Sequence, residues 1–313
     1  RCCVYKERAI VLERAKLAAG YLANGDNAEE SLIDIRPDEQ IIYVIEAACD
    51  RCPINKFNVT DSCRNCIAHR CQGACNFGAI TIVNGRAYIN QELCRECGMC
   101  KRECPYDAIS HKERPCAKAC GVGAIKCDNR GRSTIDNDIC VSCGQCMVSC
   151  PFGAIADKSQ IFQLIRAMQS GRTIMAQIAP AFVGQFGANV TPGQIKTALK
   201  QLGFAKVYET AIGADLGAIE EAEHYVHEVA SGKQAFSLTS CCPSWSVLAK
   251  NFFPETIDKI SNALTPMVAT ARIIKEEHPD ASVVFIGPCA SKKLEASRRT
   301  VRSEVDFVIT FEE

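Results

Sequence analysis

Hydrophobic and polar positions change their period twice along this chain. In the first stretch Val11, Ala15, Ala18 and Leu22 recur at helical spacing, with Glu13, Arg14 and Lys16 off that stripe, which predicts an amphipathic helix. Gly25 is placed to end it, and Asp26 with Glu29 three residues later reads as a capping box for a short second helix. Between residues 49 and 157 cysteines break every longer period. From Ser159 onward strand-like and helix-like stretches alternate. Ser159 is placed to cap a helix with Ile161, Leu164, Ile165 and Met168 on one face, stopped by Gly171. There follow a strand over 173–179, a helix from Thr191-Pro192 to Gly203, a strand over 206–210 and a helix over 216–231 stopped by Gly232. A buried strand over 235–238, a helix from Pro243, a helix over 266–278 and strands over 282–286 and 305–310 complete the pattern. Such alternation predicts a parallel sheet with helices on its faces. The fold class is therefore α+β and multidomain: an N-terminal helical segment (1–48), a cysteine-bearing region (49–157) and an α/β parallel-sheet domain (158–313).

Three strand-to-turn junctions of the third region carry the candidate chemistry. One is Thr239-Ser240-Cys241-Cys242-Pro243-Ser244-Trp245, one is Gly287-Pro288-Cys289-Ala290-Ser291-Lys292-Lys293-Leu294-Glu295, and one is Pro180-Ala181. In a parallel sheet all three fall on the carboxyl edge, where such sheets bind ligands.

Composition sharpens the middle region. The chain of 313 residues holds 22 cysteines, and their spacing of two or three residues suits thiolate-bound metal clusters in a reducing cytoplasm better than a secreted disulfide framework. The 36 basic and 36 acidic residues balance, so no nucleic-acid surface is indicated. No apolar run approaches the roughly 20 residues of a membrane helix. The opening Arg1-Cys2-Cys3 lacks Met, which reads as an N-terminally truncated chain.

Two regular runs dominate the array. Cys94-x2-Cys97-x2-Cys100-x3-Cys104-Pro105 and Cys140-x2-Cys143-x2-Cys146-x3-Cys150-Pro151 have the bacterial ferredoxin spacing, in which the fourth Cys of a run serves the other cluster. Crossover between these two runs predicts one 4Fe–4S cluster on Cys94, Cys97, Cys100 and Cys150 and another on Cys140, Cys143, Cys146 and Cys104. A less regular set is interleaved: Cys63, Cys66, Cys71 and Cys75, then Cys116 and Cys120, with Cys49 and Cys52 as a front half. The tails Asn76-Phe77-Gly78-Ala79-Ile80 and Gly121-Val122-Gly123-Ala124-Ile125 copy Phe152-Gly153-Ala154-Ile155, a ferredoxin-like repeat. The same crossover predicts a third cluster on Cys63, Cys66, Cys71 and Cys120 and a fourth on Cys49, Cys52, Cys116 and Cys75. Structural zinc is the rival for either set, and Cys2, Cys3 and Cys127 are left over.

The three junctions carry a resemblance. QIAPAFVGQFG, GADLGAIEEAE, TSCCPSW and PCASKKLE resemble, in this chain order, four signature stretches of the iron-only hydrogenases, and the likeness covers about Cys94 to Glu313. It implies an incomplete hydrogenase catalytic domain behind ferredoxin-like domains. It also implies an H-cluster, a 4Fe–4S cubane joined to a di-iron unit with CO, cyanide and a bridging dithiolate. By resemblance Cys242 and Cys289 are ligands of that cubane and Cys241 is the proton-shuttling thiol. Lys292 holds a cyanide, Pro180 and Ala181 line the cofactor, and a proton path runs from Cys241 to Glu221 and Ser261. His224, beside Glu223, stands where the family has a further carboxylate, Gly287 where a Met usually precedes Pro288, and Met267 where Gln is common. The family's third cysteine motif would follow Glu313, so the resemblance implies a chain cut before half of the ligands and inactive as it stands.

The activity implied is ferredoxin-linked, reversible reduction of protons to hydrogen. Its implied partners are ferredoxin or a similar carrier, hydrogen and protons, and maturation proteins. The competing readings are an H-cluster sensor, a non-catalytic relative in iron–sulfur assembly, and an electron carrier alone.

Overall fold

The computed structural model describes residues 3–24, 40–50, 52–298 and 301–313; Gly25 and the capping box expected at Asp26 lie outside them. Helix α1 (Val4–Ala18) is the predicted first helix, but its packed face differs. Val11 and Ala15 face solvent, while Leu17 is buried with Ile10 beside it, against Ile45, Ala48, Cys49 and Ala154. Apolar residues lie on both sides of this helix, and the side that meets the cysteine region wins. Arg14 fixes the docking by donating to the carbonyls of Phe152 and Gly153 at 3.1 and 2.9 Å.

The cysteine region is two small modules of one topology, one inserted in the other. The outer module begins at β1 (Ile42–Val44). The inserted module comprises β2 (Phe57–Val59), α2 (Arg70–Gly73), β3 (Ile80–Val83), β4 (Arg86–Ile89), α3 (Met99–Glu103) and β5 (Ile109–His111). The outer module resumes with α4 (Pro115–Ala119), β6 (Ile125–Cys127), β7 (Ser133–Ile135), α5 (Gln145–Ser149) and β8 (Ile155–Asp157). In each module the first and last strands pair antiparallel, β2 with β5 and β1 with β8, and the middle strands form a hairpin, β3 with β4 and β6 with β7. Equivalent backbone bonds recur: Thr60 N–H donates to Ala108 O as Ile45 N–H does to Ala154 O, and Cys94 N–H to Asn90 O as Cys140 N–H does to Asp136 O. Residues 42–48, read from sequence as part of the helical segment, thus begin the outer module.

The third region is a four-stranded parallel sheet, ordered β10-β9-β11-β12. Its elements are α6 (Ile161–Gln169), β9 (Ile174–Ile178), α7 (Pro192–Gln201), β10 (Lys206–Glu209), α8 (Ala211–His224), α9 (Pro243–Phe252), α10 (Pro266–Glu277), β11 (Ser282–Gly287), α11 (Ser291–Ser297) and β12 (Phe307–Thr310). Strands β9 and β11 are buried throughout, as expected of central parallel strands covered on both faces. Met175, Val268, Ala271, Ile274, Val283 and Phe285 pack on one face, and Leu164, Ile174, Ala176, Phe204, Val284 and Ile286 on the other. Thr191 and Gln194 form a capping box at α7, and Thr265 caps α10.

Three expectations fail here. The stretch 235–238 is no buried strand: Phe236 is exposed and only Leu238 bridges, parallel, to Ile260. Strand β9 already has β10 and β11 as neighbours, so the sheet centre offers no place for it. Helix α8 starts at Ala211 rather than 216, because Gly213 continues the helix instead of preceding it. A Cβ there would run into Pro266 O and lie 2.5 Å from Thr270 Oγ1, so this glycine lets α8 touch α10. The helix continues as a π-helical turn, Tyr225–Ala230. On α6, Leu164 and Ala167 are buried but Ile165 is exposed.

Candidate functional site

The spacing of the cysteine runs builds its own local geometry. Glu96 N–H reaches Cys94 Sγ at 3.4 Å and Ser142 N–H reaches Cys140 Sγ at 3.4 Å, each from a residue in the left-handed region. Gly98 and Gly144, with φ of 78° and 80°, then start the short helices carrying Cys100 and Cys146. After each run the chain turns back so that the fourth residue on donates to the last sulfur. Ala79 reaches Cys75 at 3.3 Å, Ala108 reaches Cys104 at 3.3 Å, Ala124 reaches Cys120 at 3.2 Å and Ala154 reaches Cys150 at 3.3 Å. All four alanines are buried. Tyr106-Asp107-Ala108-Ile109 is thus a fourth copy of the tail, and counting four tails in the sequence would have shown four equivalent runs.

Closing each module on itself groups the thiols into four quartets, and the grouping differs from the crossover expected from sequence. Burial pushes the Cys71 thiol up, and Cys104, Cys66 and Cys63 add to the rise; these form quartet one. Burial likewise raises Cys100, with Cys94, Cys75 and Cys97 beside it; these form quartet two. In quartet three burial raises Cys52, the Arg114 guanidinium opposes this, and Cys116, Cys49 and Cys150 reinforce it. In quartet four Cys146 is pushed up to about 12, by burial first and then by Cys140, Cys143 and Cys120. These neighbours are not those of the crossover expected from sequence, which set Cys94, Cys97 and Cys100 with Cys150, Cys140, Cys143 and Cys146 with Cys104, Cys63, Cys66 and Cys71 with Cys120, and Cys49, Cys52 and Cys116 with Cys75. The physical reason is strand pairing. The two regular runs are both second runs, each of a different module, and β2–β5 and β1–β8 return each last cysteine to its own module. Quartet three also gathers Ser133, whose N–H donates to Cys49 Sγ at 3.2 Å, and buried Arg114, which donates to Pro53 O, Gly131 O and Ser133 Oγ.

Among the described residues no three His, Cys, Asp or Glu side chains converge on the position of a single metal ion. All described cysteines are free thiols. Free thiols with amide hydrogens aimed at sulfur are a donor set that suits a cubane.

In the sheet lobe two of the three junctions lie where expected. Pro180-Ala181 follows β9 and Gly287-Pro288-Cys289 follows β11, adjacent parallel strands, so both sit at the carboxyl edge. The Cys241-Cys242 turn hangs beside that edge rather than on the sheet. Ser240 Oγ donates to Ala263 O at 3.0 Å, Trp245 Nε1 to Thr239 O at 3.1 Å, and Lys292 Nζ to Cys241 O at 3.0 Å. Lys292 therefore ties the two cysteine turns together, and its other partner is Glu295 at 2.7 Å. Cys241 and Cys242 are exposed; Cys289 is half-buried, its Sγ 2.9 Å from Ser291 Oγ. A side chain at Gly287 would meet the Phe285 ring at 2.6 Å, which accounts for glycine where larger residues are usual. Met267 is buried, and its carbonyl accepts from the fully buried Gln177 amide.

Ser261 is buried behind the Cys241 turn, its N–H on Leu238 O and its Oγ accepting from Ala263 N–H. Glu221 is half-buried, two turns along α8 from Gly213 on the face that meets α10. No hydrogen bond joins Cys241, Glu221 and Ser261 among the described residues. His224 is half-buried with Nε2 enclosed and unpartnered, while Glu223 is exposed.

Sequence reasoning passed over Lys293. It is fully buried, and its Nζ donates to Asp157 Oδ2 at 2.7 Å, to Lys158 O at 3.0 Å and to the Glu313 carboxylate at 3.0 Å. With Ala290 and Leu294 packed against Ile41, Cys116 and Cys146, it fastens the outer module directly to the Cys289 turn. Its signal was the doubled lysine at a helix start, where consecutive residues face different ways.

Comparison with known proteins agrees with this layout. Residues 172–313 match the family described as iron only hydrogenase large subunit, C-terminal domain, and residues 87–110 and 133–156 match the 4Fe-4S binding domain. The chain is an iron-only hydrogenase-like protein. It is 35% identical over 153 residues to iron hydrogenase 1 of Clostridium pasteurianum, covering 45% of this chain and 26% of that protein. It is 30% identical over 181 residues to an NADP-reducing hydrogenase subunit of Solidesulfovibrio fructosivorans, covering 49% of this chain and 31% of that one. It is also 30% identical over 125 residues to a cytosolic Fe-S cluster assembly factor of Meyerozyma guilliermondii, covering 36% of this chain and 24% of that one. The chain thus spans about a quarter to a third of the length of these relatives. The two 4Fe-4S matches cover the regular second runs of the hydrogenase-like chain. The first runs are stretched, one by two residues and the other by the entire inserted module.

Proposed function

We propose that this chain relays single electrons through four 4Fe–4S clusters to a site at the Cys241-Cys242 and Cys289 turns, for reversible reduction of protons to hydrogen. The observation that carries the reading is Lys292, which joins the two cysteine turns while its neighbour Lys293 joins them to the quartet-bearing module. Quartets one to four hold the clusters, and amide hydrogens on sulfur are among the features that set cluster potentials. Cys242 and Cys289 fit as half of the thiolate set of a further cubane. A metal group held there would supply redox chemistry at hydrogen. Pro180 and Ala181 would line it, and Lys292 would offer a cation to an anionic ligand.

Protons move over this chain's own groups. A thiol, with an ordinary pKa near 8.5, can take and release a proton near neutral pH, which suits Cys241. Glu221, Ser261 and His224 continue the path outward, His224 through its unpartnered Nε2. The electron donor is a ferredoxin-type carrier, and the free thiols suit a reducing cytoplasm. No helix among the described residues is long and apolar enough to cross a membrane. We divide the chain functionally into a docking helix, the nested cluster region to about residue 157, and the site-bearing lobe.

Cys241→Ser and Cys242→Ser in the matured holoprotein test this reading. Cys241→Ser is expected to keep the infrared CO and cyanide bands while hydrogen turnover falls by orders of magnitude; Cys242→Ser is expected to lose the bands. Near-parental turnover in Cys241→Ser would refute the relay role. The similarity to an assembly factor favours a second reading, in which the lobe holds iron–sulfur clusters without hydrogen chemistry. The unsubstituted protein would then show iron and sulfide but no CO or cyanide bands after maturation.

A further inference from the structure

The nested topology puts the four quartets in one order. The inserted module enters between Cys52 and Cys116, both of quartet three. Its two ends meet where Lys112 N–H donates to Lys56 O at 2.8 Å. That end abuts quartet two: Lys56 pairs with Glu96 at 3.3 Å, and the Phe57 ring lies against Gly98. Quartet one therefore stands at the opposite, outer end, where Thr60 pairs with Ala108 beside Cys63 and Cys104. The outer module repeats the rule. Its ends meet where Lys158 N–H donates to Ile41 O, and Gln40 accepts from Asn137 beside Cys140. That end abuts quartet four and the sheet lobe, through Lys293 on Asp157 and Asn251 on Asp138 O at 3.3 Å.

We propose, resting on the relay reading above, that the quartets form a single file one, two, three, four, and that electrons are taken up at quartet one from a small acidic one-electron carrier protein. The uptake face is the loop around Cys63, Cys66 and Cys71. Ile67 stands at its centre, fully exposed, an apolar contact beside a redox centre. Arg64 and Arg70 flank it, exposed and without carboxylate partners among the described residues, and Arg86 pairs with Asp61 at 2.8 Å. Arg86 takes up Asp61, and residues 62–72 hold Arg64 and Arg70 and no carboxylate, so the loop is net basic and attracts an acidic surface. Each step moves one electron: the carrier is oxidised as quartet one's cluster is reduced, and the electron then passes inward.

The probe is a reduced plant-type ferredoxin mixed with the reconstituted oxidised chain in a stopped-flow cell. The triple variant R64E/I67D/R70E, which alters no thiol, is expected to lower the bimolecular reduction rate by about tenfold or more at low ionic strength, with iron content and dithionite reduction as in the parent. K200E/K233E, on the sheet lobe, is expected to change the rate little. An unchanged rate in the triple variant, or an equal fall in the lobe variant, overturns the uptake face. A second variant, C49A/C52A, removes quartet three: ferredoxin should then reduce quartets one and two rapidly and quartet four at least about tenfold more slowly, while dithionite reduces all that remain. Quartet four reduced by ferredoxin at the parental rate overturns the single file. Absence of iron from the inserted module in the parent would instead overturn the relay reading itself.

Discussion

Strands β9 and β11 of the sheet lobe are buried along their whole length, with large aliphatic side chains on both faces. In the nested modules no strand exceeds four residues, and the two small cores are completed by cysteines, among them Cys100, Cys116 and Cys146. The same chain thus uses two sources of stability. Burial of apolar surface, about 25 cal/mol per Å², is available to the lobe whatever metal is bound. The modules are too small to rely on it; burial and the neighbouring sulfurs keep their thiols protonated without metal, and metal, which binds them as thiolates, would supply the missing folding energy.

The largest test of that contrast is to remove the metal. Iron chelation is expected to strip amide protection from residues 40–157 while β9, β10, β11 and β12 stay protected, read by hydrogen–deuterium exchange of the two regions. Equal loss in both would mean that the lobe leans on the clusters too.

Lys293 probes the seam between them. Lys293→Met leaves the half-buried carboxylates of Asp157 and Glu313 without their cation and is expected to cost about 3 kcal/mol, read as a lowered urea midpoint. Adding Asp157→Asn and Glu313→Gln should restore most of the loss, because the penalty lies in the unpaired charge. No recovery would mean that the ammonium's packing, not its charge, closes the seam.

A smaller effect lies wholly within the lobe. Gly213→Ala forces α8 away from Pro266 and Thr270 and is expected to cost about 1–3 kcal/mol, with iron content unchanged. The smallest concerns the lobe surface, where Tyr208 donates to Glu277 at 2.7 Å and Lys206 pairs with the same carboxylate at 3.3 Å. The Tyr208 hydroxyl first, and Lys206 next, hold the Glu277 carboxyl below its ordinary value. A carboxyl depressed on folding adds stability above its unfolded value and loses it as pH falls through the folded one. Tyr208→Phe should therefore weaken the protein slightly at neutral pH, and the difference should vanish in acid; a difference that grows in acid would reverse the sign.

The lobe was more legible in the sequence than the modules, and the reason is physical. Its strands and helices announce themselves by period and by starts and stops such as Thr191-Pro192 and Gly203, and their order follows from local rules. The failure at 235–238 came from judging a strand by its residues when the sheet had no free neighbour for it. In the modules the cysteine spacing identified the ligands, yet not their partners, because partnership depends on which distant strands pair. An insertion of some sixty residues between Cys52 and Cys116 leaves each half-run intact and conceals that the halves belong together. Lys293 was hidden for the same kind of reason: its three partners come from β8, the residue after it, and the end of the described chain.

The partition of the thiols is the claim on which the relay rests, and paired substitutions test it by counting iron after anaerobic reconstitution. Four cubanes give about 16 iron per chain. Cys71→Ala with Cys104→Ala removes two ligands of one quartet and should leave about 12 iron. Cys71→Ala with Cys120→Ala removes one ligand from each of two quartets and should leave about 8, or intermediate iron with two altered cluster signals by electron paramagnetic resonance. The reverse result, one cluster lost with Cys71 and Cys120 and two with Cys71 and Cys104, would contradict the nested modules and restore crossover between them.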